Sequence, residues 1–218
     1  MMDEVTLNKV KELCQLVDIQ ELLKEKDIIS DICSFERIVE RSEIKSCQKK
    51  VKEHKLFKYN DNNQKHLWAF YGYVGADKWA CIEVGSSDDI LGEICSIIKL
   101  MYEPSCDIEK KSVLHDGVVI YKSKSYTDKI CYKYRYMNKL FEKFWWVEIN
   151  VDKYQGDNDK KYNKTDYAEV TYAYKSKALI WNPAPAMMDR RNRKNQEKQI
   201  LREKYNIIIG TDVELEYE

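Results

Sequence analysis

The sequence has little glycine and proline and no excess charge of either sign. Its 218 residues include seven Gly and three Pro, 44% are hydrophobic, and 37 basic residues are balanced by 37 acidic ones. The chain therefore lacks the low hydrophobicity and large net charge that keep chains disordered, and we expect it to fold. Because it is neutral, any attraction to nucleic acid or to an anionic membrane must come from local patches.

Long apolar runs and paired cysteines are also missing. The first ten residues have no apolar stretch typical of a signal peptide, and no run approaches the roughly eighteen apolar residues that span a bilayer. The seven cysteines include no CxxC pair, which leaves a zinc knuckle without support. These features predict a soluble cytoplasmic protein with no membrane partner, whose cysteines serve as small core residues in a reducing compartment.

Common catalytic signatures are absent as well. The sequence contains no GxxxxGK[ST], GxGxxG, HExxH or GxSxG motif. Its three histidines, His54, His66 and His115, are not grouped like the ligands of a mononuclear zinc enzyme. None of these common motifs therefore indicates a function for the chain.

Helical periodicity dominates the N-terminal quarter of the chain, which we predict to be a helical subdomain at 1–58. Residues 1–44 carry six basic and eleven acidic residues, whereas Lys45 to Lys58 carries six lysines against Glu53 alone. The acidic part could face a protein partner, and the basic part could touch phosphate. A helix-turn-helix is one interpretation of this segment, and a small helical cap is the commoner one.

After a polar tract that ends near residue 65, the pattern becomes extended. Three runs rich in aromatic and β-branched residues are predicted to be strands, Leu67 to Val74, Lys78 to Val84 and Phe144 to Val151. An apolar helix is predicted after Ser86 to Asp89, which offers several N-cap residues. The prediction is an α+β core at 66–218, with a small, mostly antiparallel three-stranded sheet flanked by helices and a β-hairpin inserted at 104–140.

The inserted segment is basic and rich in tyrosine. Asp116-Gly117 between two apolar runs is a strong hairpin signal, and residues 110–139 carry eight basic residues against two Asp. Cations interleaved with tyrosines can grip nucleic acid through phosphate contacts and stacking. The nucleic-acid-binding residues predicted here and in a later basic run are Lys122, Lys124, Lys133, Tyr134, Arg135, Arg190, Arg191 and Arg193. In the alternative interpretation these cations are solvated or pair with the acidic N-terminal residues.

Two motifs and a distant glutamate carry a family resemblance. Ala69-Phe70-Tyr71 is followed after eleven residues by Glu83-Val84-Gly85-Ser86-Ser87, and Glu169 precedes Asn182 by thirteen residues. The first two motifs resemble the paired strands of the GIY-YIG nuclease core. The third is similar to the glutamate-bearing helix and the Asn that end that core. The resemblance extends from residue 67 to residue 182.

The resemblance implies a Mg²⁺-dependent DNA endonuclease, or a catalytically degenerate relative. Tyr71 would orient or deprotonate water, and Glu169 would hold one Mg²⁺ through its carboxylate. Glu83 and Glu93 stand where the family has Tyr and Arg, so Lys78 or another cation would have to stabilise the phosphate.

A second class of function fits the same sequence. A non-enzymatic module could bind a protein or nucleoprotein complex, as an inhibitor or adaptor does. The two classes differ in what they require of the structure. A nuclease needs Tyr71, Glu169 and a cation in one cleft, whereas a binding module needs only a continuous surface patch.

Overall fold

The computed structural model describes residues 8, 10–11, 14–24, 28–54, 66–102, 112–115, 118–121, 134–135, 137–151, 164–179 and 216–217. Its strands are β1 (Leu16–Asp18), β2 (Ile28–Glu36), β3 (His66–Gly75), β4 (Lys78–Ser87), β5 (Ser112–His115), β6 (Val118–Tyr121), β7 (Lys143–Ile149) and β8 (Glu216–Tyr217). Its main helices are α1 (Ile19–Lys24), α2 (Arg41–Lys52), α3 (Ile90–Leu100) and α4 (Lys164–Ser176). The class is α+β.

A five-stranded antiparallel sheet forms the centre of the fold, with the strand order β1-β4-β3-β7-β2. The predicted hairpin of β3 and β4 is confirmed. Its turn contains Gly75, Ala76 and Asp77, all with positive φ (96°, 50° and 56°). Gly75 accepts this conformation at no steric cost because it has no Cβ. The turn fixes the register of the two long strands that meet the candidate site.

Both faces of this sheet are covered by helices. Alternate residues of β3 point to opposite faces, so that Trp68 and Phe70 enter one core with α2 and α3, and Ala69 and Tyr71 enter another with α1 and α4. In the first core the rings of Phe70 and Trp146 stack with centroids 3.8 Å apart. The sheet is therefore a central layer between two apolar layers.

The sheet has more strands than the three that were predicted. Residues 28–36, expected to be helical, form β2 and pair with β7. The helical prediction was wrong because β2 has a register irregularity between Asp31 and Cys33. This irregularity places Ile32 and Phe35 in the same core although they are three residues apart. This spacing imitates a helical stripe. Through β1 and β2, residues expected to lie in a helical subdomain belong to the central sheet.

The hairpin signal at Asp116-Gly117 also predicted its flanking strands correctly. β5 and β6 pair antiparallel, with Ser112 opposite Tyr121 and His115 opposite Val118, and β8 joins β5 in parallel. Asn182, the last residue of the stretch that carries the family resemblance, lies outside the described residues. Within the described ranges, no helix is long and apolar enough to cross a membrane.

Candidate functional site

Helix α4 presents small and polar side chains to the sheet. The buried positions among its described side chains recur at helical spacing, as expected for one side of a helix, and they are Thr165, Ala168, Glu169, Tyr172, Ala173 and Ser176. The two alanines pack in the core that contains β3 and β4. Because these side chains are short, the helix can approach the strands closely. Its longer polar groups must then find partners on the sheet.

Tyr71, predicted as a catalytic residue, lies under this helix. Its side chain is 0% exposed, its ring packs beside Trp145 with centroids 5.5 Å apart, and its hydroxyl forms a hydrogen bond with the hydroxyl of Tyr172. This hydrogen bond joins β3 to α4 within the core that contains α1 and α4. A tyrosine that positions water needs access to that water, and this ring has no exposed surface.

Glu169, predicted as the metal ligand, lies one helical turn before Tyr172. Its side chain is 6% exposed, and its Oε2 atom accepts a hydrogen bond of 2.8 Å from Ser86 Oγ. Ser86 is in the second motif of the resemblance, near the end of β4. The structure therefore places Tyr71 against α4 and Glu169 on that helix, and each makes a hydrogen bond between α4 and the β3–β4 hairpin.

Lys78, the predicted catalytic cation, is not part of this arrangement. It is the first residue of β4 and lies eight residues before Ser86, which is roughly 25 Å along an extended strand. Its Nζ atom forms an ion pair with Asp18 of β1, 3.7 Å from Oδ2. The three predicted catalytic residues therefore do not share a cleft.

Gly85, the glycine of the second motif, is packed closely against a tryptophan ring. A Cβ atom on Gly85 would lie 2.4 Å from the ring of Trp68, so a larger residue would collide with that ring. The indole of Trp68 in turn donates to Glu93 Oε2, 3.1 Å away. Glu93, which the resemblance aligns with a catalytic Arg, accepts this hydrogen bond from a core tryptophan. The buried Glu83 stands where the family has Tyr.

Glu169 is the residue to which the resemblance assigns Mg²⁺. Magnesium requires near-octahedral oxygen coordination, usually with one or two carboxylates and several waters. In the part of the chain that the structure describes, no group of three or more His, Cys, Asp or Glu residues could hold a metal ion. Glu169 is buried and accepts a hydrogen bond from Ser86, so a hydrated cation would have to displace that hydrogen bond to reach Oε2.

Most of the predicted nucleic-acid-binding residues lie outside the described residues, namely Lys122, Lys124, Lys133, Arg190, Arg191 and Arg193. Tyr134 is described and is 5% exposed, in the core with α2 and α3. Its ring is therefore not available to stack on a base. Arg135, the next residue, is half-buried.

A polar cluster that the sequence did not reveal lies on three adjacent strands. Glu148 of β7 accepts a hydrogen bond from Ser30 Oγ of β2 at 3.1 Å, and its other oxygen lies 2.8 Å from Nδ1 of His66 of β3. Ser30 and His66 both contact the carboxylate of Glu148. In a catalytic triad, by contrast, the histidine lies between the carboxylate and the serine that it activates. The signal available in the sequence was a glutamate inside the apolar run of β7.

Three thiols lie in the core that contains α2 and α3. They are Cys33 of β2, Cys47 of α2 and Cys95 of α3. Burial raises the pKa of each thiol, and the charge of Asp31 raises that of Cys33 further. The thiolate is the form that attacks electrophiles and binds metals. These cysteines therefore behave as core residues, as the sequence predicted.

Comparison of the chain with protein-family models, with curated proteins and with solved structures finds no match.

Proposed function

We propose that this chain is a non-enzymatic binding module that engages a protein or nucleoprotein complex. The observation that supports the proposal is the burial of the groups on which a nuclease would rely. Phosphodiester hydrolysis requires a water, a cation and a phosphate to meet at exposed polar groups. Tyr71 and Glu169 are both in the core, and Lys78 is at the far end of β4.

The position of the exposed charges also favours binding. Among the described residues, both faces of the central sheet are packed against helices. Helix α2 is a charged external element, with exposed cations at Arg41, Lys45, Lys49, Lys50 and Lys52. A binding module needs only such a continuous patch, with no cleft behind it.

A Mg²⁺-dependent endonuclease is the second candidate function, and one observation favours it. Tyr71 and Glu169 lie far apart in the sequence, yet both make hydrogen bonds at the surface shared by α4 and the β3–β4 hairpin. A shift of α4 away from the strands would expose both groups together. The two candidate functions therefore differ in whether α4 leaves the sheet.

The discriminating experiment is incubation of the purified chain with plasmid DNA and Mg²⁺. Wild type is compared with Glu169→Gln and Tyr71→Phe, and Glu53→Gln serves as a control because it changes an exposed carboxylate. The binding module predicts no cleavage by any of them. Cleavage by wild type and Glu53→Gln that is lost in the other two variants would overturn the proposal and support the endonuclease. Equal cleavage by all four proteins would exclude Tyr71 and Glu169 from the reaction.

A further inference from the structure

The outward side of helix α2 carries a row of cations. The helix packs on the sheet through Cys47 and Val51, which are buried. Spacings of four, four and three residues along a helix place side chains on one side of it. The residues at these spacings form the α2 basic row, which consists of Arg41, Lys45, Lys49 and Lys52, all exposed.

The acidic residues of this helix do little to neutralise the row. Among the described residues, the row makes one ion pair, between Lys49 Nζ and Glu53 Oε1 at 3.6 Å. Both side chains of that pair are well exposed, so the pair is weak and can give way to another anion. Glu43 is committed elsewhere, because its carboxylate accepts hydrogen bonds from the backbone N–H groups of Val39 and Glu40.

The row has the form of a line with a shallow depression along it. The depression has a volume of about 300 Å³ and is lined by Lys45, Gln48, Lys49, Lys52 and Glu53. With a rise of about 1.5 Å per residue, the row extends roughly 16 Å along the helix axis. Cations arranged in a line suit a repeating anion better than a single small ion. A nucleic-acid strand is such an anion, with a phosphate about every 3.4 Å along the axis of B-DNA.

The composition of α2 separates nucleic acid from a protein partner. Protein interfaces are depleted in lysine and enriched in aromatic residues, whereas three of the four cations in the row are lysines and the helix contains no aromatic residue. Single-stranded nucleic acid is usually held by aromatic stacking on its bases. The helix offers charge without stacking, which matches contact with the backbone of a duplex.

From these observations we infer that the α2 basic row binds the phosphate backbone of a nucleic-acid duplex without reading its sequence. The inference rests on the proposed binding function and specifies its partner. It uses residues outside the stretch that resembles a nuclease. Four neutralised phosphates release counterions, so affinity falls with salt with a log–log slope of about −3.6, or roughly 150-fold between about 50 and 200 mM.

The test is fluorescence anisotropy of the full chain with a short labelled DNA duplex across that salt range. The variant Lys45→Gln/Lys49→Gln removes two charges from the row. The slope should decrease to about −1.8, which is roughly a 12-fold change over the same range. Lys24→Gln/Lys175→Gln removes two exposed charges from other helices and should behave as wild type. Lys45→Arg/Lys49→Arg should retain the wild-type slope, and circular dichroism establishes that each variant is folded.

The outcomes separate this inference from the proposed function. Equal slopes for wild type and the Gln variant of the row, or no duplex binding at low salt, would overturn the role of the row. Displacement of the duplex by poly-L-glutamate more readily than by unlabelled duplex at equal charge would assign the row to an acidic protein and overturn the inference. A duplex of scrambled sequence should bind equally well. Cleavage that depends on Glu169 would remove the proposed function and leave the slope measurement unaffected.

Discussion

The hydroxyl pair of Tyr71 and Tyr172 gives the sharpest test of whether the residues under α4 are structural. Both rings are buried, and the hydrogen bond between their hydroxyls joins β3 to α4. An intramolecular hydrogen bond contributes about 0.5–1.5 kcal/mol to stability. We therefore expect Tyr71→Phe and Tyr172→Phe each to lower the free energy of unfolding by about 1 kcal/mol. Because each substitution breaks the same bond, the double variant should cost about as much as one single variant, with a coupling energy near 1 kcal/mol.

The assay is urea unfolding of the four proteins, supported by thermal melts. For a chain of this size, about 1 kcal/mol corresponds to a change in Tm of roughly 2–4 °C. Tyr73→Phe is the matched control, since Tyr73 is on the same strand, is half-buried and packs edge-on against Trp79. It should change stability by less than about 0.5 kcal/mol. Additive costs of the two core substitutions would refute the pairing. Unchanged stability in Tyr71→Phe would refute the structural role of its hydroxyl.

Three further predictions concern other parts of the fold. Gly85→Ala should lower stability by about 1–3 kcal/mol in urea unfolding because the new methyl group meets the ring of Trp68, and a variant as stable as wild type would contradict this. Hydrogen bonds from the backbone N–H groups of Glu40 and Val39 lower the pKa of Glu43, so its contribution to stability is present at neutral pH and is lost as the pH falls through its lowered pKa. Melts should therefore show Glu43→Gln less stable than wild type at pH 7 and equal to it in acid; a difference that persists in acid would contradict the assignment. In the native protein, peptide mass spectrometry after iodoacetamide treatment at mildly alkaline pH should find slow labelling, accelerated by unfolding, at Cys33, Cys47 and Cys95.

Local patterns in the sequence were sufficient for the elements whose signals are short-range. The β3–β4 hairpin, helix α3 and strand β7 follow from turn residues, N-cap residues and runs of aromatic and β-branched side chains. The strands on either side of Asp116-Gly117 followed from the turn signal. In each case the residues that determine the structure are neighbours in the sequence.

Features that depend on distant partners could not be predicted in this way. The irregularity in β2 gives its buried residues a helix-like spacing, so the pairing with β7, more than one hundred residues away, was not visible. The resemblance directed attention to Tyr71 and Glu169, and its second motif included Ser86, but it did not indicate that Ser86 binds Glu169 or that Tyr172 binds Tyr71. Tyr172 follows Glu169 by three residues, and helical spacing could have placed it on the same side of α4.

Substitution of the buried carboxylates should affect stability, whereas substitution of the exposed cations of α2 should affect binding. A buried carboxylate is costly unless it is hydrogen-bonded. Glu148 meets this requirement by bonding to Ser30 and His66, which links β2, β7 and β3, while Glu169 does so with Ser86, which links α4 to β4. Replacing either carboxylate loosens contacts between elements, so its first effect falls on stability. In the described part of the chain the α2 basic row makes one exposed ion pair, between Lys49 and Glu53, so substitutions in that row should alter binding while the fold is preserved.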